Sequence, residues 1–189
     1  MLDTAVKFLA GEVNVYLKRR TASDLVRVVP GSVVDDNGKW AVADGSIGLS
    51  VVNVEEERVV RSQAPDRVLL DGNLVSVQPG LRINLQLLFA SRHNNYEHAL
   101  RYLSYVLMFF QAHPSFTPEE YPALDPDLRK LSLELLNYGP EQLNQLWTYL
   151  GAKYLPSVVY RMRMAVLQDT EPMDVGPPVT AVETVIHGR

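Results

Sequence analysis

Asn137–Leu167, NYGPEQLNQLWTYLGAKYLPSVVYRMRMAVL, decides the fold. Gly139-Pro140 ends what precedes it. Pro140 suits the first turn of a helix, and Glu141 suits that helix's positive end. Leu143, Leu146, Trp147 and Leu150 then recur at helical spacing as one buried face. Gly151 is a stop and Pro156 forbids continuation. From Ser157 the period becomes two. Val158, Tyr160, Met162 and Met164 lie on one side, with Val159, Arg161, Arg163 and Ala165 on the other. The stretch is a helix docked on a sheet, followed by a strand that enters it.

Working outward, Leu131, Leu133 and Leu135 alternate with Lys130, Ser132 and Glu134 as a strand before this helix. Residues 114–128 hold four prolines and read as loop. A helix capped by Asn94 or Asn95 precedes it and ends near His113-Pro114, with Tyr96, Ala99, Leu100, Leu103, Leu107 and Phe110 towards the core and Tyr102, Val106 and Phe109 widening the stripe. Leu81–Arg92 alternates as a central strand, and residues 62–79 lack a sustained pattern and read as a projecting loop. Ile47–Arg61 is a long β-branched strand. Its alternation groups Leu49, Val51, Asn53, Glu55 and Glu57 on one face, and Ser50, Val52, Val54, Glu56 and Arg58 on the other. Turn signals fill residues 21–46, with a hairpin expected about Asp36-Asn37-Gly38-Lys39. Asp3 is placed to cap an N-terminal helix with an apolar stripe of Val6, Leu9, Val13, Tyr16 and Leu17. Beyond Leu167 comes a proline-rich acidic linker, then the alternating Val179–Ile186.

The element order implies an α+β fold: a mostly antiparallel or mixed β-sheet, about three packed α-helices and an extended C-terminal arm. The expected division is a domain over 1–168 and a linker with a strand-like arm over 169–189.

Composition narrows function. Net charge is −4 and no basic block stands out, which argues against nucleic acid. The absence of cysteine excludes disulfide scaffolds, thiol catalysis and thiolate zinc. The N-terminus lacks the features of a signal peptide, and no apolar run approaches a membrane span, so assembly in the cytoplasm is expected.

The candidate chemistry is thin. Glu55-Glu56-Glu57 would hold a hard cation, but no supporting His or Asp motif stands beside it; a solvated or interfacial strand end is the plainer reading, with Arg161 and Arg163 as candidate partners. His93 and His98 lack a third ligand. Lys18-Arg19-Arg20 serves a helix C-terminus before it serves an anion. Trp147, Tyr149 and Tyr154 would form a stacking patch, although Trp147 lies on the leucine face and packs by default. There is no G-x-S-x-G, no P-loop and no G-x-G-x-x-G. No catalytic residue, metal or cofactor is expected.

Taken together, LSVVNVEEER, LRINLQLLFAS, NNYEHALRYLSYVLMFFQAHPSF and ELLNYGPEQLNQLWTYLGAKYLPSVVYRMRM resemble the cap, or tail-terminator, proteins of phage-tail-like contractile injection systems of the antifeeding-prophage and virulence-cassette type. The resemblance spans about residues 1 to 167. It implies a non-enzymatic subunit of a six-fold ring that closes the inner tube and anchors the last sheath layer. The partners implied are further copies of the chain, tube protein and sheath protein, within a particle that is released or stays in the cell.

A ring of identical subunits needs two different complementary faces. The candidate interface residues are Glu55, Glu56, Glu57, Arg58, Arg161 and Arg163, with Val179, Ala181, Val182 and Val185 of the arm. The Pro-rich loop 114–128 is a further candidate. The arm is expected to add a strand to a neighbour, and strand 157–167 to be a receiving edge. The alternatives are another terminal or adaptor protein of the same tail, or a non-enzymatic ligand-binding module.

Overall fold

The alternation in the two most apolar strands builds the molecule from its centre. The computed structural model describes residues 1–57, 66–70, 73–77 and 82–165. In chain order the elements are α1 (Leu2–Thr21), β1 (Val28–Pro30), β2 (Ser46–Glu56), β3 (Asp66–Leu70), β4 (Asn73–Val77), β5 (Arg82–Arg92), α2 (Tyr96–Ala112), β6 (Ser115–Phe116), β7 (Leu131–Leu136), α3 (Pro140–Tyr149) and β8 (Ser157–Ala165). Six strands form one sheet in the order β1-β2-β5-β8-β7-β6, antiparallel except for the β1–β2 pair. The α+β expectation holds.

The two faces carry separate cores. On one, Leu85, Leu87 and Phe89 of β5 meet Tyr160, Met162 and Met164 of β8 under α1 and α2. Phe110 packs against both Phe89 and Tyr160, at 5.4 and 4.8 Å between ring centres. On the other, Leu88, Ala90 and Val159 lie under Trp147 of α3, with Val33 beside them. Trp147 is 4% exposed and meets Trp40 edge-on, as its place on the leucine face required.

The helix ends follow local chemistry. The Asn95 side chain accepts from the Glu97 N–H at 2.8 Å, deciding between the two asparagines. Pro140 opens α3, and the Gln142 side chain accepts from the Gly139 N–H. Gly151 follows at φ 65°, a left-handed conformation that stops the helix at little cost. Asp3 is not a cap: it lies inside the first turn of α1 and pairs with Lys7 at 3.0 Å. The basic triplet ends α1 as expected, with Lys18 on Asp24 and Arg20 over the Tyr16 ring.

Five expectations need correction. Strand 157–167 cannot receive a neighbour's strand along its described part. β8 is central, paired over Ser157–Ala165 with β5 and over Val159–Met164 with β7. Residues 62–79 are not all loop, because β3 and β4 form a two-stranded hairpin whose register leaves Asp71-Gly72 between Leu70 and Asn73. The faces of β2 change partway, since the ladder slips between Val51 and Asn53. The extra residue of this bulge puts Val51 opposite Leu87 but Asn53 opposite Gln86, so Glu55 lies across the sheet from Leu49 and Val51 rather than beside them. The buried stripe of α2 runs through Ala99, Leu103, Val106, Phe109 and Phe110, leaving Tyr96 and Leu100 exposed. Finally, the hairpin expected in 33–42 is reduced to the single bridge Val34–Trp40, its turn held by the Asp35 carboxylate on the N–H groups of Asn37 and Lys39.

A candidate interface on the open half of the sheet

The α3 face of the sheet is half covered. Along β5 its outward side chains run from Ala90 and Leu88 of the α3 core to the half-buried Gln86 and the buried Asn84, both outside that core. The neighbouring strands repeat this gradient. β8 passes from Val159 to Arg161 and Arg163, and β7 from Leu136 to Glu134, while the bulge brings Asn53 and Glu55 of β2 level with Gln86 and Asn84. A polar surface results where the helix ends.

Its side chains are wired together. Asn53 and Gln86 donate to the same Glu55 oxygen at 2.6 and 3.2 Å. Gln86 in turn accepts from the Tyr138 hydroxyl at 2.6 Å. Asn84 donates to Glu57 at 2.9 Å, while its own carbonyl oxygen is buried with no hydrogen-bond partner among the described residues. Arg163 binds Glu134 at 3.0 Å, and Arg161 approaches the same carboxylate oxygen at 3.6 Å. Burial raises the Tyr138 phenol above its usual value; nearby Glu55 adds to this and Arg161 opposes it. Exposed ion pairs such as those of Arg161 and Arg163 with Glu134 contribute only about 0–1 kcal/mol to stability.

Where the polar surface meets α3, a groove of about 640 Å³ opens. Its floor is Val52, Asn53, Gln86 and Arg161, and its walls are Tyr138, Gln142, Gln145, Leu146 and Tyr149. Tyr149 is 80% exposed.

The structure therefore brings Glu55, Glu57, Arg161 and Arg163 to one surface. Glu56 lies on the opposite face, level with Ile83. The carboxylate that Arg161 and Arg163 approach is Glu134; Glu55 and Glu57 are bonded by side-chain amides. Arg58, Val179, Ala181, Val182 and Val185 lie outside the described residues. Sequence reasoning missed Asn53, Asn84, Gln86, Glu134 and Tyr138. The signal was present: on the α3 side of β5 the residues turn from apolar to amide along one face, which marks where helix cover ends.

Among the described residues no group of three metal-ligating side chains converges. His93 stacks on Tyr102 at 4.9 Å, with its Nδ1 3.2 Å from the Ser91 hydroxyl. Tyr149 and Tyr154 are both exposed, flanking the buried Trp147, and Tyr154 meets it edge-on at 5.7 Å. No described helix is long and apolar enough to cross a membrane.

A model of the Pvc16 N-terminal domain family matches residues 4–181, nearly the whole chain. The chain belongs to that family. Several solved structures share its fold, among them two terminators. One is the sheath/tube terminator of PVC, an extracellular contractile injection system, in its extended state: TM-score 0.59 and 15% identity, covering 94% of this chain and 62% of that one. The other is the tube-terminating cap of the anti-feeding prophage: TM-score 0.58 and 15% identity, covering 92% of this chain and 58% of that one. The Pvc16 N-terminal domain seen here thus spans about three-fifths of the length of these structural relatives. No curated protein sequence matches it. The resemblance to terminator caps that the motifs carry is borne out at the level of family and fold.

Proposed function

We propose that this chain is a tail-terminator subunit of a contractile injection particle. In this reading it forms a ring, six-fold by the resemblance, that closes the inner tube and anchors the last sheath layer. The observation that carries the proposal is the Pvc16 N-terminal match over residues 4–181, together with a fold like that of two terminators. The chemistry agrees, because the polar surface and groove present side chains for contact with protein. The role is structural and non-enzymatic, without cofactor, nucleic acid or membrane. The subunit assembles in the cytoplasm and leaves it, if at all, within the particle.

The open surface with Glu55, Glu57, Arg161 and Arg163 serves one side of the ring contact. The arm at 179–186 is a strand donor to the sheath layer. Of the described sheet, the two terminal strands are poor receivers. β1 has three residues and β6 two, and short edges resist pairing.

The test is removal of the protein from particle-producing cells, followed by imaging of the particles. Irregular or open tails are expected, restored by the intact chain. Tails of normal length and closure in its absence would sink the proposal.

A further inference from the structure

We propose that the groove beside α3 receives the proline-rich acidic loop Thr117–Asp127 of a second copy of the chain. This inference rests on the terminator-ring reading and names the two surfaces that meet.

The groove fits such a segment. Tyr138 and Tyr149 flank it, and aromatic walls are what proline-rich segments dock on. The exposed Gln145 amide of its wall offers both a donor and an acceptor to an incoming loop. The one charged residue of the lining is Arg161, whose contact with Glu134 is long, at 3.6 Å, because Arg163 holds the same oxygen at 3.0 Å. A carboxylate arriving in the groove finds a guanidinium ready to bind it.

The loop fits the groove. TPEEYPALDPD carries three prolines and four acids, and among the described residues none of those four acids is ion-paired. It is preorganised. Leu124 is buried, Leu128 just beyond the loop is buried, and Tyr121 packs edge-on against Phe8 and Phe116 and bonds to His113 at 2.8 Å. Those anchors all belong to the α1–α2 core, while the groove lies on the opposite face of the sheet. The loop is thus pinned away from its own groove, and a contact between them joins two copies head to tail, the geometry of a ring.

The chain lacks cysteine, so a pair of introduced thiols reports the contact without background. Full-length Glu120→Cys and Gln145→Cys proteins, both altered at exposed positions, are mixed and oxidised. Disulfide-linked dimers are expected about tenfold faster than from Gln145→Cys mixed with Glu97→Cys on exposed α2, since docking raises the local thiol concentration. Adding Arg161→Glu to the Gln145→Cys partner should remove most of the advantage, and Glu119→Arg on the other partner should restore it. Trapping no faster than the control pair overturns the proposal. So does faster trapping of Gln145→Cys by Val175→Cys, which would make the chain's own tail the occupant. Light scattering on the unaltered protein reads the ring separately. Rings without trapping overturn the docking and leave the terminator reading standing; trapping with normal particles in the absence of the protein supports the contact and removes that reading.

Discussion

Trp147 shows how much one side chain of the smaller core carries. It lies between Trp40 and Tyr154, above Leu88 and Val159, and is almost fully buried. Its indole N–H has no hydrogen-bond partner among the described residues, and the side chain contributes through packing. Trp147→Ala should therefore cost about 3–5 kcal/mol in an equilibrium urea series, as large aromatic truncations do. A loss of half that or less would mean that α3 is not docked as described. His93 makes a second prediction. Burial holds its imidazole below the ordinary value of 6.5, with Asp44 opposing and His98 adding slightly. The unfolded chain then binds this proton more readily than the folded one. The stability involved is present in full above the unfolded value and is lost as pH falls through it. Urea midpoints at about pH 7.5 and about pH 5.5 should fall further for the natural chain than for His93→Gln. Equal falls in the two proteins would remove His93 as the cause. Trp147 was legible because leucines mark its face. The surroundings of His93 were not, since Ser91, Tyr102 and Asp44 meet it only through tertiary structure.

At the scale of elements, the strand following α3 and the helix itself were legible because each has one unbroken period. β2 was not, because a bulge leaves no mark on composition: Val51-Val52-Asn53 continues the alternation in writing while the ladder slips one residue. The consequence is testable by deletion. Removing Val52 takes out the unpaired residue and leaves Asn53 and Glu55 on the polar face, so the protein should fold with little change in its thermal transition. Removing Val54 instead would keep the bulge and move Glu55 to the half-exposed position level with Leu85, breaking its bonds from Asn53 and Gln86, so this protein should melt earlier than the Val52 deletion. Similar melting of the two deletions would show that β2 carries no bulge in solution. The β3–β4 hairpin does have a mark in the sequence, since Asp71-Gly72 stands between two runs rich in Val and Leu. The exposed side of α2 was misjudged for a different reason. Tyr96, Leu100 and Met108 are apolar but uncovered, and hydrophobicity alone cannot say whether a helix is packed on one side or two.

For the molecule as a whole, the decisive fact is which strands lie at the edges, and chain order does not reveal it. β8 is the last strand described and looked free to pair, yet it sits between β5 and β7. Past Leu49, where β1 stops, the outer side of β2 has no paired strand among the described residues over Val51–Glu56. An edge that carries exposed Val51 and Val54 invites association, and the chain counters it locally. The Asn53 side chain accepts from the Val54 N–H at 2.9 Å, occupying a donor that an incoming strand would use. The bulge twists the strand there, and Glu55 and Glu56 charge its end. Asn53→Val removes the blocking oxygen and adds a β-branched residue suited to pairing. The fold should survive, since Asn53 is exposed and its loss breaks no core contact. The expected outcome is a thermal transition close to that of the natural chain, accompanied by concentration-dependent growth in light scattering and a rise in strand content. If scattering stayed flat at every concentration, Asn53 would have no part in guarding this edge. The protection of β2 would then rest on the bulge and the acidic end alone.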